Sequence, residues 1–115
     1  MTVQQSVARQ GNPTVIEASV ELGAFGRTFA TRPRAREIAA FIRHDYQPDA
    51  QEVVLDLSSV ALAGPSFMNE FAGEMGALWP NATLVVKGPK ILVDKLLFHG
   101  KRRGLRMRAA DDPES

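Results

Sequence analysis

The stretch V53-V-L-D-L-S-S-V-A-L-A-G-P-S-F67 decides how the rest of the chain is read. Val53 to Leu57 is short, β-branched and almost wholly apolar, the signature of an interior strand covered on both faces. The linker Ser58–Gly64 is built of small residues. Gly64 then stands at a cap position, with Pro65 at a first helical position and Ser66 behind it. Proline fits there because its missing N–H would have no intrahelical partner anyway. A strand that feeds a helix through a tight loop is the unit of an α/β sheet. In such sheets, sites gather at the carboxyl ends of the strands. A helix start is also rich in unpaired N–H groups and favours an anion.

The same alternation runs outward in both directions. Upstream, Val15 to Leu22 has period two: Ile16, Ala18, Val20 and Leu22 on one side, Glu17, Ser19 and Glu21 on the other. That pattern predicts a half-buried strand. Gly23 and Gly26 mark a turn, after which R27-T-F-A30 reads as the second strand of a hairpin. Thr31 to Asp45 reads as a helix. Thr31 is its cap, Pro33 lies in its first turn, and Ala35, Ile38, Ala39 and Ile42 form its inner stripe. Downstream, Pro65 to Trp79 is a second helix. Phe67, Met68, Phe71, Ala72, Met75 and Leu78 face inward, and Asn69, Glu70, Gly73 and Glu74 lie opposite. Thr83 to Lys87 is a further central strand. A third helix opens at Gly88-Pro89 and ends at Gly104, the position that favours a left-handed residue. Leu105, Met107 and Ala109 alternate with Arg106 and Arg108, as in an edge strand guarded by charge. The resulting order, β(β)αβαβαβ, predicts an α/β fold: a mixed sheet of four to five strands with about three helices, mostly on one face. Residues 1–12 are polar and read as a flexible N-terminal arm, 13–109 as one domain, and 110–115 as a disordered tail.

Composition narrows the function classes. The chain has 115 residues, enough for one domain with a real core. With no cysteine, disulfides, thiolate metal sites and a cysteine nucleophile are excluded. The two histidines, His44 and His99, lack a second ligand at metal spacing, so no metal site is expected. No phosphate-cradling glycine motif is present, and no cofactor is expected. No run approaches the roughly 18 apolar residues of a membrane span, and the N-terminus lacks the apolar core of a secretory signal. A cytoplasmic, non-enzymatic protein is the expectation. The net charge is only +1, but eight Lys or Arg fall between Lys87 and Arg108 against one acid, Asp94. That basic segment suits a helix C-terminus, where cations offset the dipole. Its alternative reading is a binder of small anionic ligands or nucleic acid. The absence of interleaved aromatic residues argues against nucleic acid.

The loop and both flanking segments resemble the STAS domain (sulfate transporter and anti-sigma factor antagonist). Asp56, Ser58 and Val60 match that family's strand-borne D-x-S-x-V/L. Ser66 falls where the family carries its phosphorylated serine or threonine. The closer likeness is to bacterial STAS-like domains of unknown function, carried by Thr31-Arg32 and by Ser66-Phe67 with Asn69 and Glu70. It covers about residues 14 to 109. Gly64 stands where the STAS family has an acid before its serine, and Phe67 stands where it has glycine. The resemblance implies a regulatory protein-interaction module whose partner is an ATP-binding, anti-sigma or histidine-kinase-like protein. Contacts would come from Thr31, Arg32, Ser66, Phe67, Asn69 and Glu70, with Ser66 as a phosphorylation site. Read from the residues alone, Thr31 is a helix cap and Ser66 a helix-start residue. Glu70 is either a solvated face residue or the carboxylate that answers Arg32.

Overall fold

The structure is a computed structural model that describes residues 3–9 and 12–111. Five strands form the main sheet: β1 (Val3–Arg9), β2 (Asn12–Glu21), β4 (Glu52–Asp56), β6 (Thr83–Lys87) and β7 (Met107–Ala109), in the order β1-β2-β4-β6-β7. β1 runs antiparallel to β2, and the remaining neighbours are parallel. Three helices link them: α1 (Arg32–Arg43), α2 (Pro65–Leu78) and α3 (Lys90–Arg102). From β2 onward each parallel strand is added on the same side of the last. Right-handed crossovers therefore place all three helices on one face, where α1 packs on α2 and α2 on α3. The α/β class and the mixed sheet agree with the sequence expectation.

Alternation decides which side of each strand meets the helices. Ala18 and Val20 of β2, Val53 and Leu55 of β4, and Leu84 and Val86 of β6 are buried beneath them, continued by Leu22 and Leu57. β4 is not covered on both faces as its composition suggested. Glu52, Val54 and Asp56 are only half-buried on the side without helices. There Glu52 pairs with Arg108 at 3.2 Å and Asp56 with Lys87 at 3.8 Å. The apolar run Val53-Val54-Leu55 hides this, because Val54 sits on the open face, and Asp56 is the one residue of Val53–Leu57 that marks that face.

Three further expectations are corrected. The arm assigned to the first twelve residues contributes β1, whose backbone pairs with β2 from Val3↔Val20 to Arg9↔Asn12. Ladder hydrogen bonds are available to any residue but proline, so polar composition does not prevent an edge strand. Thr28–Phe29 (β3) is not half of a hairpin. It pairs in parallel with Leu62–Ala63 (β5), inside the stretch read as a linker. The first residue assigned to the tail is paired: the Ala110 N–H donates to the Val86 carbonyl at 2.8 Å. The remaining tail residues, 112–115, lie outside the described residues.

The β3–β5 pair fixes the loop that precedes α2. The Ala61 and Leu62 N–H groups donate to the Arg27 carbonyl, and Gly64 donates to Phe29 at 2.9 Å. Asp56 accepts from the Ser58 N–H at 2.9 Å, which ends β4 in a side-chain-closed turn. The helix that follows begins where expected, with Gly64 as its cap and Pro65 in its first turn. No side chain caps that start. Gly104 ends α3 with φ of 80°, as its position suggested.

Candidate functional site

The outward face of α2 lies between α1 and α3, and both neighbours send polar side chains onto it. Arg32 opens α1 directly after Thr31, whose Oγ1 accepts from the Arg34 N–H at 3.3 Å. Thr31 is thus occupied as a cap, the structural one of its two readings. Capping leaves Arg32 free to reach across. Its Nη1 donates to Asn69 Oδ1 at 3.0 Å and meets Glu70 Oε1 at 3.4 Å. The carboxylate expected to answer Arg32 does so. Arg36, one turn on, holds the other oxygen of Glu70 at 3.3 Å, and Arg43 approaches Glu74 at 3.9 Å. Spacing of three and four residues on α1 puts these arginines in line with the same spacing on α2.

From the other side come two groups that sequence reading assigned elsewhere. Arg103, just past the end of α3, donates through Nη2 to Asn69 Oδ1 at 2.9 Å. It reaches that far because Gly73 leaves room: a Cβ there would lie 2.6 Å from the Arg103 guanidinium. His99 lies 3.3 Å from Asn69 through Nδ1. Arginine can only donate, so Asn69 Oδ1 must face the two guanidiniums and its NH2 must face His99. In that arrangement His99 Nδ1 accepts from the Asn69 NH2, which favours the neutral ring.

The electrostatics follow from these contacts. Partial burial pushes the His99 pKa below 6.5, and the positive charges of Arg102, Arg103 and Arg32 push it the same way. For Glu70, burial acts upward. The hydrogen bond and charge of Arg36, then the hydrogen bonds of Arg32 and Glu74, outweigh it and hold the carboxyl below 4.5. Glu70 is an ion-pair partner here and is poorly suited to donate a proton near neutrality.

Of the six contact residues the resemblance named, the structure brings Arg32, Asn69 and Glu70 into one network. Ser66 is exposed on the first turn of α2. Phe67 is the exception. It is fully buried, with ring centroids 4.9 Å from Phe29 and 5.5 Å from Phe71, so it cannot be a surface contact. Its place in the inner stripe of α2, already visible as period 3.6, accounts for the burial. Arg36, His99 and Arg103 were missed. Gly73, the small residue on the polar face of α2, is the one sequence signal that something packs there.

The basic C-terminal segment is not one separate patch. Arg103 turns in to Asn69, Arg102 lies over the Phe98 ring at 5.3 Å, and Arg106 donates to the Asn81 carbonyl. A cavity of about 250 Å³ lies elsewhere, lined by Gly88, Lys90, Val93, Asp94, Leu97, Ala109 and Asp111. Among the described residues no group of three or more His, Asp or Glu could hold a metal ion. None of their helices is long and apolar enough to cross a membrane. Comparison of the chain with protein-family models, with curated proteins and with solved structures finds no match in any of the three.

Proposed function

We propose that this chain is a non-enzymatic, cytoplasmic regulatory module that docks a protein partner through the loop Ser58–Pro65 and the opening turns of α2. One observation carries the reading. The outward face of α2 is a fixed arrangement of Arg32, Asn69 and Glu70, beside an exposed Ser66 on the first turn of that helix, directly after the loop held by β3 and β5. Leu62, in the same loop, is 60% exposed and supplies an apolar contact next to the polar ones. Surfaces that bind proteins combine such anchors with a polar rim. By resemblance to STAS-like domains, the partner is an ATP-binding protein of the anti-sigma or histidine-kinase-like class, and it brings the nucleotide. A phosphate on Ser66 would add about two negative charges at a helix start that tolerates them. The effect would fall on the docked partner.

Capture of partners from the native cell tests this, with wild type compared to Ser66→Asp and Glu70→Lys. Loss of a specific partner from both variants, each still cooperatively folded at the assay temperature, is the expected result. Retention of every partner by two folded variants would show that docking, if any, uses another face. Mass spectrometry of the native protein reads phosphorylation of Ser66 separately.

A further inference from the structure

The arginines around Asn69 specify a ligand chemistry, and this inference rests on the reading that the face docks a partner. Arg32 Nη1 and Arg103 Nη2 donate to the same Asn69 Oδ1, at 3.0 and 2.9 Å. One neutral amide oxygen is therefore shared by two full positive charges. The carboxylate nearby, Glu70, is divided between Arg32 and Arg36. Around Asn69, three guanidiniums thus face one carboxylate, while Glu74, one turn on, is answered by Arg43 at 3.9 Å. Like charges brought to one acceptor repel, and an amide oxygen compensates this less well than an anion does. The face is held together, but it is short of negative charge.

We propose that an acidic side chain of a partner peptide binds between Arg32 and Arg103, taking over the contacts that both make to Asn69. The site already accepts a carboxylate in this way, since Glu70 bridges Arg32 and Arg36. A nucleic acid fits less well. Glu70 and Glu74 sit one turn apart on the same face and would oppose a continuous phosphate chain. Phe98 is 57% exposed, but Arg102 covers one side of its ring, so it is not an open stacking platform. Its ring also lies 5.3 Å from His99, the partner of Asn69, and so offers an apolar contact suited to a peptide in which acids alternate with apolar residues.

The test uses the purified full chain and a short labelled peptide with Glu spaced among Leu and Phe. The same peptide with Gln for Glu, and a short labelled single-stranded RNA, serve as comparisons. Fluorescence anisotropy is read from about 50 to about 200 mM salt. The acidic peptide should bind about tenfold more tightly than its Gln version, a difference of about 1.4 kcal/mol, and weaken with salt. R32Q and R103Q should each reduce that preference severalfold while leaving thermal unfolding nearly unchanged. The His99 ring signals in NMR should shift on binding, because Asn69 is released from the arginines. Equal binding of both peptides overturns the proposal. So does indifference to R32Q and R103Q, or tighter binding of the RNA. Failure here with loss of captured partners in Ser66→Asp and Glu70→Lys leaves the docking reading standing and removes only its acidic chemistry. The reverse pattern keeps the carboxylate site and removes the docking reading.

Discussion

Replacing Gly88 by alanine tests the contact that sets the start of α3 against the end of β4. Gly88 follows β6 with φ of 137°, a backbone conformation that L side chains rarely adopt. A Cβ there would lie 2.9 Å from the Leu57 carbonyl carbon, 3.0 Å from Leu57 Cβ and 3.1 Å from the Ser58 nitrogen. Two of these three atoms are backbone, so no rotamer change relieves them. A residue held in a sparsely populated region costs about 1–3 kcal/mol. Overpacking against a fixed neighbour adds about 1–3 kcal/mol. Taking the lower half of each range, G88A should destabilise the fold by about 3 kcal/mol, a large share of the roughly 5–15 kcal/mol typical of a domain. At about 4 °C per kcal/mol for a chain of this size, the melting temperature should fall by about 12 °C. Gly104 provides the control. Its φ is 80°, yet nothing lies within 4 Å of the position a Cβ would take. G104A should therefore lose only the conformational part, about 1 kcal/mol. Urea unfolding of the two variants, at equal m-value, separates backbone cost from close approach. If G88A and G104A lose the same stability, the tight seating of α3 against Leu57 and Ser58 is refuted.

Three further outcomes are expected. F67A should cost about 3–5 kcal/mol in chemical unfolding through the cavity left beside Phe29 and Phe71, whereas S66A, one residue earlier and exposed, should stay within about 0.5 kcal/mol of wild type. G73A should leave stability nearly unchanged, because about 1 kcal/mol of helix propensity is offset by the displaced bond from Arg103 to Asn69. The same variant should nevertheless lower affinity for the acidic peptide as R103Q does. In acid unfolding, the lowered Glu70 pKa contributes stability that is fully present above 4.5 and lost as pH falls through the folded value; His99, lowered from 6.5, loses folded-state stability as pH drops below 6.5. E70Q and H99Q should each flatten its own part of that pH profile, and a profile unchanged in both variants would contradict the network around Asn69.

How much of this was legible beforehand depended on whether the information was local. Period two in Val15–Leu22, the helical stripe from Phe67 to Leu78, and the Gly-Pro start of α2 are local and were visible. So was the polar face of α2, with Asn69 and Glu70 on it. The pairing of Thr28–Phe29 with Leu62–Ala63 joins segments 34 residues apart in a two-residue ladder, too short to leave any period. β1 was hidden for a different reason. An edge strand is held largely by its ladder, and Val3–Arg9 carries little apolar pattern against which to read it. The burial of Phe67 was visible in the stripe, but the family likeness placed the same residue on a contact surface. The two readings conflicted, and packing decided between them.

The network on α2 shows why sequence reading separated what the fold joins. Asn69 is an ordinary polar residue on a helix face, and Arg103 belongs to a basic run that suits a helix C-terminus. Each has a sufficient local explanation. Only the order β4-β6-β7 sets α3 beside α2, and only Gly73 lets the Arg103 guanidinium lie against the helix. Asn69 then becomes the point at which α1 and α3 are held to α2: its oxygen takes Arg32 and Arg103, and its NH2 takes His99. A side chain with one acceptor oxygen and one NH2 can serve all three only while the imidazole is neutral. Charge on the ring and an anion between the arginines therefore act on the same residue. Protonating His99 would remove the acceptor for the Asn69 NH2, while an incoming carboxylate would take the donors from its oxygen. Either change loosens the same three-helix junction, and the peptide affinity measured at two pH values, in wild type and in H99Q, separates the two effects.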